Sequence, residues 1–514
     1  MAKLSLSYVD TSPLIRGAQD SFSFAIARIE RWLSALGVPH SSFGSAGGLS
    51  MLLASGALLY LWRVKRSRTD GQPPIVSYWV PWLGSALQVQ RNPDSLFKKA
   101  SRELGPVFGV KVFGSTLYHV TDADMIMKLY KQPNVFSGSP MQATFFNQIF
   151  DVSMHAITGS DIIGTMLQSK NRHLSPMNVQ SLLSSFIAHA RSQISTLPSN
   201  VSIPLLSLIV PPMQKSDCAM LFGSSFLPYY YDTVAPAFTT FDNNVPLLAI
   251  NFPPFLMPGT IAARQTLLNN LDTYFAAGLP EDASGLLKEF VEQGHSQDWT
   301  THDLAAFGLG LMWPLLANAP YAVYWLLAFH LYRPEGLKPL LDEVHSVLES
   351  GYRDLAEVVR DSGATPYLDA CINEAIRLAS DSYSMRWVAE GEDEGHRLGG
   401  YVFKAGDQVA CNTRGAHMDE EVYARPEVFE PSRFIGEEKE KSRGRFIPFG
   451  GGFSICEGRH LALTQIKAFI IILLSEFDIS LENESKAIPP FSPNNRGFGM
   501  IRPVGDLAVR LTRK

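Results

Sequence analysis

The chain has 514 residues, of which 46% are hydrophobic and 18% charged, and its formal net charge is −5. No long basic run accompanies that charge, so we expect no nucleic acid among the partners. Four cysteines are too few for a disulfide framework in so long a chain, and no C-x-x-C or His/Cys cluster suggests zinc, so a reducing compartment is indicated.

The N-terminal part carries a membrane signal. Residues 43–62 contain no charge and, at about 1.5 Å per residue, are long enough to cross a bilayer core. Four basic residues between Arg63 and Arg68 follow directly, which orients the rest of the chain to the cytosol. We therefore predict a short non-cytosolic leader at 1–42, a transmembrane anchor at 43–62 and a basic, proline-bearing linker at 63–80. A cleaved signal peptide or a buried core helix is the alternative.

The remaining residues, 81–514, have the pattern of one large helical domain. Residues 107–113 and 116–120 predict two strands joined at Gly114 and Ser115 as a hairpin. Helical periodicity dominates from about residue 122 to 390, and short strand-like pieces return near 383–389, 400–403 and 408–411. The sequence therefore predicts a mainly α fold with a minor β part.

Residues 304–331 form a long apolar stretch that contains Ala317 and Asn318. Its length would allow a second membrane span, or a long helix buried in the domain. Further on, Glu374 and Arg377 lie three residues apart in a helical pattern, on one face and within ion-pair reach. Such a pair alone is weak evidence, because similar surface pairs are common.

The most informative stretch is 446–459, where Cys456 lies in a glycine-rich turn before an apolar helical pattern. Gly450, Gly451 and Gly452 can adopt backbone angles closed to other residues, so the chain can pass close to a flat cofactor. The positive end of the following helix favours a charged sulfur at Cys456. A buried cysteine in a glycine turn is the other interpretation.

Phe449, Gly452, Cys456 and Gly458 have the spacing F-x-x-G-x-x-x-C-x-G, which resembles the haem-binding loop of the cytochrome P450 family. The resemblance implies the cytochrome P450 fold, a haem (heme, iron protoporphyrin IX) cofactor and Cys456 as the axial iron ligand.

The same resemblance implies roles for four charged residues. Glu374, Arg377 and Arg433, the last in a Phe-Glu-Pro-Ser-Arg-Phe segment, would form a buried structural network beside the haem. Arg386, nine residues after Arg377, would pair with a haem propionate. Ser454 departs from the family pattern, since many members carry a basic residue there. Arg172 or Lys170 would substitute for a missing earlier propionate partner.

On the oxygen side of the haem, most monooxygenases of the family have an acid followed by a threonine. This chain has Ala317 and Asn318 there, and resembles the branch that contains cholesterol 7α-hydroxylase and prostacyclin synthase. An amide at Asn318 can orient water or hydrogen-bond a ligand on that face. In membrane-bound members, the region matching 251–258 lies over the substrate entrance and dips into lipid, whereas composition alone would also fit a core segment.

We therefore predict a membrane-anchored monooxygenase of the endoplasmic reticulum, single-pass, with its catalytic domain in the cytosol. The resemblance implies oxidation of an apolar sterol, terpenoid or related lipid, secondary metabolism included, with electrons from NADPH delivered by cytochrome P450 reductase. One alternative is an isomerase or dehydratase acting on a peroxide or pre-oxidised substrate without a reductase. Another is a non-catalytic haem- or ligand-binding protein.

Overall fold

The computed structural model describes residues 71–78, 80, 82–158, 169, 172–229, 233–349, 354–390, 395–452, 455–483 and 487–514. The predicted leader and anchor lie outside these residues, as do Lys170 and Ser454. Residues from Pro73 to Lys514 form one compact unit.

Helices make up most of this unit, as the periodicity predicts. They are, in chain order, α1 Ala86–Arg91, α2 Pro93–Leu104, α3 Ala123–Tyr130, α4 Ser139–Phe150, α5 Met154–Thr158, α6 Gln180–Ser195, α7 Leu205–Phe222, α8 Leu227–Tyr229, α9 Ala235–Asn243, α10 Val245–Ala249, α11 Pro258–Ala276, α12 Gly285–Ser296, α13 Thr301–Leu331, α14 Pro334–Glu349, α15 Leu355–Arg360, α16 Pro366–Ala379, α17 Thr413–His417, α18 Gly436–Lys441 and α19 Arg459–Glu476. Short 3-10 turns occur at Ser224–Phe226, Pro254–Leu256 and Pro431–Phe434.

The strands of the described residues form three small sheets. They are β1 Val107–Val112, β2 Ser115–Val120, β3 Phe136–Ser137, β4 Val201–Pro204, β5 Ser380–Val388, β6 His396–Leu398, β7 Tyr401–Phe403, β8 Gln408–Asn412, β9 Phe477–Leu481, β10 Phe498–Met500 and β11 Ala508–Arg513. The largest sheet has the order β1-β2-β8-β5-β10, with β3 paired to β5, while β4-β11-β9 and β6-β7 form the other two. The predicted hairpin is β1 and β2, paired antiparallel. The fold class predicted from the sequence, mainly α with a minor β part, is confirmed.

Helix α13 is the central element of the fold. Thr300 and Asp303 begin it with a reciprocal capping box, in which each side chain accepts from the other residue's backbone N–H. The helix packs against α7, α11, α16 and α19, and most of its side chains are buried. It is the one helix of the described residues that is long and apolar enough to cross a membrane, and 67% of its most apolar window is buried inside the protein. That burial is typical of a core helix, so of the two sequence interpretations the structure favours the helix inside the domain.

Two prolines interrupt the hydrogen-bond ladder of α13. Pro314 and Pro320 have no N–H, so the carbonyl groups of Gly310 and Leu316, four residues earlier, lose their usual helical donors. The helix nevertheless continues from Thr301 to Leu331, because its buried packing outweighs the loss of two bonds.

Candidate active site

A cavity of about 530 Å³ lies between α13 and the loop that precedes α19. Most of its lining is apolar, with side chains such as Phe145, Leu182 and Ile376, and Cys456 and Asn318 both line it. Cavities of this size and composition bind apolar small molecules.

The cysteine loop delivers one thiol to this cavity. Cys456 is exposed, whereas Cys218, Cys371 and Cys411 are buried. The Cys456 backbone N–H donates to the Phe449 carbonyl at 2.8 Å. The Arg459 guanidinium donates to the Cys456 carbonyl at 2.9 Å. Both bonds tie the loop closed just before α19 begins, so Cys456 lies at the N-terminal, positive end of that helix.

The glycines of the loop are required by the close approach of α3. Gly452 has a φ of +57°, and a Cβ there would lie 3.0 Å from the Tyr130 carbonyl oxygen. A Cβ at Gly451 would lie 2.9 Å from the sulfur of Met127 and 3.0 Å from the ring of Tyr130. Any larger residue would therefore push the loop away from α3 and move Cys456.

Asn318 is half-buried and lines the cavity from α13. Its Oδ1 accepts from the Met500 backbone N–H at 3.0 Å, and its Nδ2 donates to the Pro314 carbonyl at 3.0 Å. An amide has two donor hydrogens and two acceptor lone pairs, so one of each remains for a ligand. Ala317, its neighbour at the position of the usual acid, is buried.

Arg386 lies on β5 and shares one face of the strand with Ser382 and Ser384, two residues that line the cavity. It is buried, donates to the Met385 carbonyl at 2.7 Å and stacks 5.2 Å from the centre of the Tyr130 ring. Tyr130 lines the cavity itself, and its buried hydroxyl lies near Ser384 and Cys411 but makes no well-aligned hydrogen bond among the described residues. Burial raises the pKa of Tyr130, so the hydroxyl keeps its proton as a donor.

Glu374 and Arg377 are fully buried on α16 and form a bidentate pair with bonds of 2.7 and 2.8 Å. Arg433 donates to the same carboxylate at 3.3 Å and to the Ala424 carbonyl at 2.6 Å. The structure thus brings together the three residues that the sequence predicts to meet.

The network extends to the cysteine loop through His417, which the sequence did not single out. Arg377 donates to the His417 carbonyl at 2.8 Å, and the His417 ring accepts from the Ile447 N–H at 3.0 Å. Burial and the neighbouring Arg377 lower the pKa of His417 to about 3, so its ring stays neutral and can accept. The buried ion pair therefore holds the segment that leads into Phe449.

The proposed substitute for a second propionate partner is less well placed. Arg172 is largely exposed and donates to Glu289 at 2.9 Å, in a cluster with Ser169 and His173. Leu174, two residues further on, lines the cavity. Arg172 thus pairs with the Glu289 carboxylate rather than with a cofactor propionate.

A second group that sequence reasoning missed is built around Asp242 of α9. Its carboxylate accepts from the Trp313 indole at 2.9 Å and from the buried Arg502 guanidinium at 2.5 Å. Arg502 stacks 4.0 Å from the centre of the Tyr321 ring. Trp313 lines the cavity, so this group fixes an aromatic wall of the cavity to α9. The signal is faint in the sequence, because Asp242 and Arg502 are far apart in the chain.

These residues fit a haem. Cys456 offers a single thiol at a helix N-terminus, the loop glycines permit a flat group to approach, and Tyr130 presents an unpaired buried donor beside Arg386. A cysteine loop and a long helix facing each other across an apolar cavity define a haem-thiolate protein.

Comparison with known proteins agrees with this class. The family model described as Cytochrome P450 matches residues 285–509. Cytochrome P450 7A1 of Sus scrofa is 25% identical over 492 residues, which cover 89% of this chain and 96% of that protein. Prostacyclin synthase of Homo sapiens is 25% identical over 513 residues, covering 89% of this chain and 97% of that protein.

A solved structure, retinoic acid bound cyanobacterial CYP120A1, has the same fold. It superimposes with a TM-score of 0.71 at 20% identity and covers 87% of this chain and 100% of its own. The family model, these relatives and the shared fold make the chain similar to the cytochrome P450 family, as its cysteine loop predicts, and they support a haem-thiolate monooxygenase.

Proposed function

We propose that this protein is a membrane-anchored cytochrome P450 that hydroxylates an apolar, sterol-like substrate. The observation that carries the proposal is the apolar cavity between Cys456 and Asn318, in a chain whose relatives include a cholesterol 7-alpha-monooxygenase of Cricetulus griseus, 25% identical over 493 residues. Terpenoids and related lipids share the apolar surface that such a cavity selects.

Cys456 is the residue that would ligate iron, and Tyr130 and Arg386 would hold a propionate group. When bound, a haem with a thiolate ligand supplies the activation of dioxygen. The chain's own residues supply the rest. The network from Glu374 through His417 fixes the loop, and the apolar walls exclude water from the cavity.

Asn318 takes a positioning role on the oxygen side of the site. Its amide is held at both ends by protein groups, and its remaining N–H is available to a ligand in the cavity that the residue lines. An amide does not ionise, so it orients a water or ligand without itself supplying a proton.

The proposal includes attachment to the membrane of the endoplasmic reticulum and electron delivery by an NADPH-dependent reductase. Two surface features support the attachment to a membrane. Phe255 is 79% exposed and Leu256 and Ile250 are also exposed in the loop between α10 and α11, as expected for contact with lipid rather than for a core segment. Trp82 is 66% exposed and packs on Phe113, with ring centres 5.2 Å apart.

Product analysis tests the function. The full-length, haem-loaded protein in lipid vesicles is incubated with NADPH and cytochrome P450 reductase, against a panel of sterols and terpenoids, and products are identified by mass. The proposal expects a product heavier by one oxygen that requires both reductase and NADPH. A full panel without such a product contradicts it.

The alternative is rearrangement of a pre-oxidised substrate without a reductase. One observation favours it: the acid position of α13 holds buried Ala317, so this site lacks a side chain that could pass a proton there. Turnover of a hydroperoxide or endoperoxide that persists without NADPH, reductase and dioxygen would establish this second function.

A further inference from the structure

Three residues of α13 form a stripe along the cavity: Gly310, Pro314 and Asn318, each four residues after the previous one. The Pro314 carbonyl has a partner in the Asn318 amide. The Gly310 carbonyl has lost its helical donor, because Pro314 has no N–H. No side chain of the described residues donates a hydrogen bond to it.

The backbone of Gly310 borders the cavity. Gly310 has no side chain, so its half-buried surface is backbone. The ring of a proline inside a helix also clashes with the carbonyl four residues earlier and tilts it away from the helix axis. Both Gly310 and Pro314 line the cavity, so we infer that the tilt turns the oxygen toward the ligand space.

The other proline of α13 gives an internal comparison. Pro320 deprives the Leu316 carbonyl of its donor in the same way, and there the protein supplies a replacement. The buried Gln214 side chain of α7 donates to the Leu316 oxygen at 3.0 Å. Of two carbonyls freed by prolines, the one in the core receives a side-chain amide, whereas the one at the cavity receives no side-chain donor among the described residues.

We propose that the Gly310 carbonyl is a ligand-binding acceptor that selects apolar molecules carrying a hydroxyl group. This inference rests on the proposed function, which it deepens by naming the polar group of the substrate. Gly310 lies two turns before Asn318, a rise of about 12 Å along the helix. The hydroxyl of the substrate is therefore about 12 Å from the carbon that lies at the level of Asn318. In a four-ring skeleton these two positions are near opposite ends.

Ligands anchored on the haem iron test the acceptor without knowledge of the natural substrate. The probes are 1-alkylimidazoles with chains of about six to twelve carbons, which span the rise of two helical turns, each paired with its terminally hydroxylated form. Dissociation constants are measured on the full-length, haem-loaded protein from the shift of the Soret band. We expect the hydroxyl to improve affinity about three- to ten-fold at one chain length, as one net hydrogen bond does.

The matched variants are Pro314→Ala and Pro320→Ala. Pro314→Ala restores an N–H for the Gly310 carbonyl, so the preference for the hydroxylated probe should fall below about two-fold. Pro320→Ala makes the same chemical change where Gln214 already serves the carbonyl, so the preference should be retained. Because both probes of a pair feel any change in cavity shape, their ratio isolates the hydrogen bond. Alanine suits a helix better than proline, and Pro314→Leu provides a second variant with the same N–H.

The possible results separate the two proposals. No Soret shift with any imidazole contradicts the haem site and thus the proposed function. A Soret shift with equal affinities for hydroxylated and plain probes at every chain length overturns the Gly310 acceptor alone. So does a preference that survives in both Pro314 variants, or one that Pro320→Ala abolishes equally.

Discussion

Asn318 and Gly499 are in contact across the cavity wall: a Cβ placed on Gly499 would lie 2.1 Å from the Asn318 Oδ1 atom. Gly499 has a φ of +112°, and the next residue, Met500, donates its N–H to that same oxygen. The β10 strand thus positions the Asn318 amide by leaving space for it and by bonding to it.

Gly499→Ala should therefore displace the Asn318 side chain. We expect turnover in the reductase assay to fall at least about ten-fold, the loss of a positioning contact, with product formed per NADPH consumed falling as well. Gly505→Ala is the matched control, because Gly505 also has a positive φ, +86°, yet has nothing within 4 Å of its Cβ position. Equal losses in both variants would assign the effect to backbone strain, and unchanged turnover in Gly499→Ala would remove the role proposed for Asn318.

The iron ligand is tested by substituting cysteines one at a time. In Cys456→Ser we expect the reduced carbon monoxide difference spectrum to lose the thiolate-type band at about 450 nm. Cys371→Ser and Cys411→Ser should keep it, because both residues are buried and neither lines the cavity. Retention of the band in Cys456→Ser would contradict the assignment.

The sequence predicted the elements of this fold better than their contacts. The hairpin at β1 and β2 and the helix α13 follow from local periodicity, which is visible in one short window. The contact of His417 with Ile447 joins helix α17 to a loop residue outside any helix or strand, and no local pattern indicates it. The contact between Glu374 and Arg377 could be predicted from the sequence because they lie on one helical face, three residues apart.

The candidate site shows the same division. The spacing around Cys456 is contiguous in the sequence and was sufficient to identify the loop. The four-residue spacing of Gly310 and Pro314 was equally visible, but its meaning depends on which face of α13 lines the cavity. Tyr130 had no sequence signal, because its position beside Arg386 arises only when α3 packs against the cysteine loop.

Tyr130→Phe tests whether the unpaired hydroxyl serves the haem. If it donates to a propionate, its removal costs one charge-assisted hydrogen bond, and we expect haem transfer from the purified protein to apomyoglobin to accelerate about ten-fold. The measurement follows the Soret band with time and does not depend on activity.

Tyr423→Phe is a close control for that variant. Tyr423 also has a buried hydroxyl without a partner among the described residues and also stacks on an arginine, Arg377, at 4.9 Å. It is not among the residues that line the cavity. Haem transfer as slow in Tyr130→Phe as in Tyr423→Phe would show that the Tyr130 hydroxyl makes no bond to the cofactor.

Asp217 should make stability depend on pH. It is buried on α7, with Oδ1 accepting from Gln465 at 2.8 Å and Oδ2 without a partner among the described residues. Burial raises the pKa of Asp217 well above its ordinary value of 3.8. The folded state therefore binds the proton more tightly than the unfolded state, so its stability is greatest below that value and decreases as the pH rises. Asp217→Asn keeps an acceptor for Gln465 and cannot ionise, so we expect a melting temperature a few degrees above wild type near pH 8, with the gain shrinking toward about pH 4.

Asp303, the capping residue of α13, supplies a control of opposite sign. Burial opposes its charge, but hydrogen bonds from Thr300 and Ser153 prevail and lower the pKa of Asp303. Its contribution is therefore present above the unfolded pKa and lost as the pH falls, so Asp303→Asn should melt below wild type near pH 8 and approach it under acid conditions. Melting curves of both variants across this range separate the two groups. The opposite result would be a variant Asp217→Asn whose stability relative to wild type decreases as the pH rises. In that case Asp217 would be ionised and paired in the folded protein, contrary to its burial beside an uncharged amide.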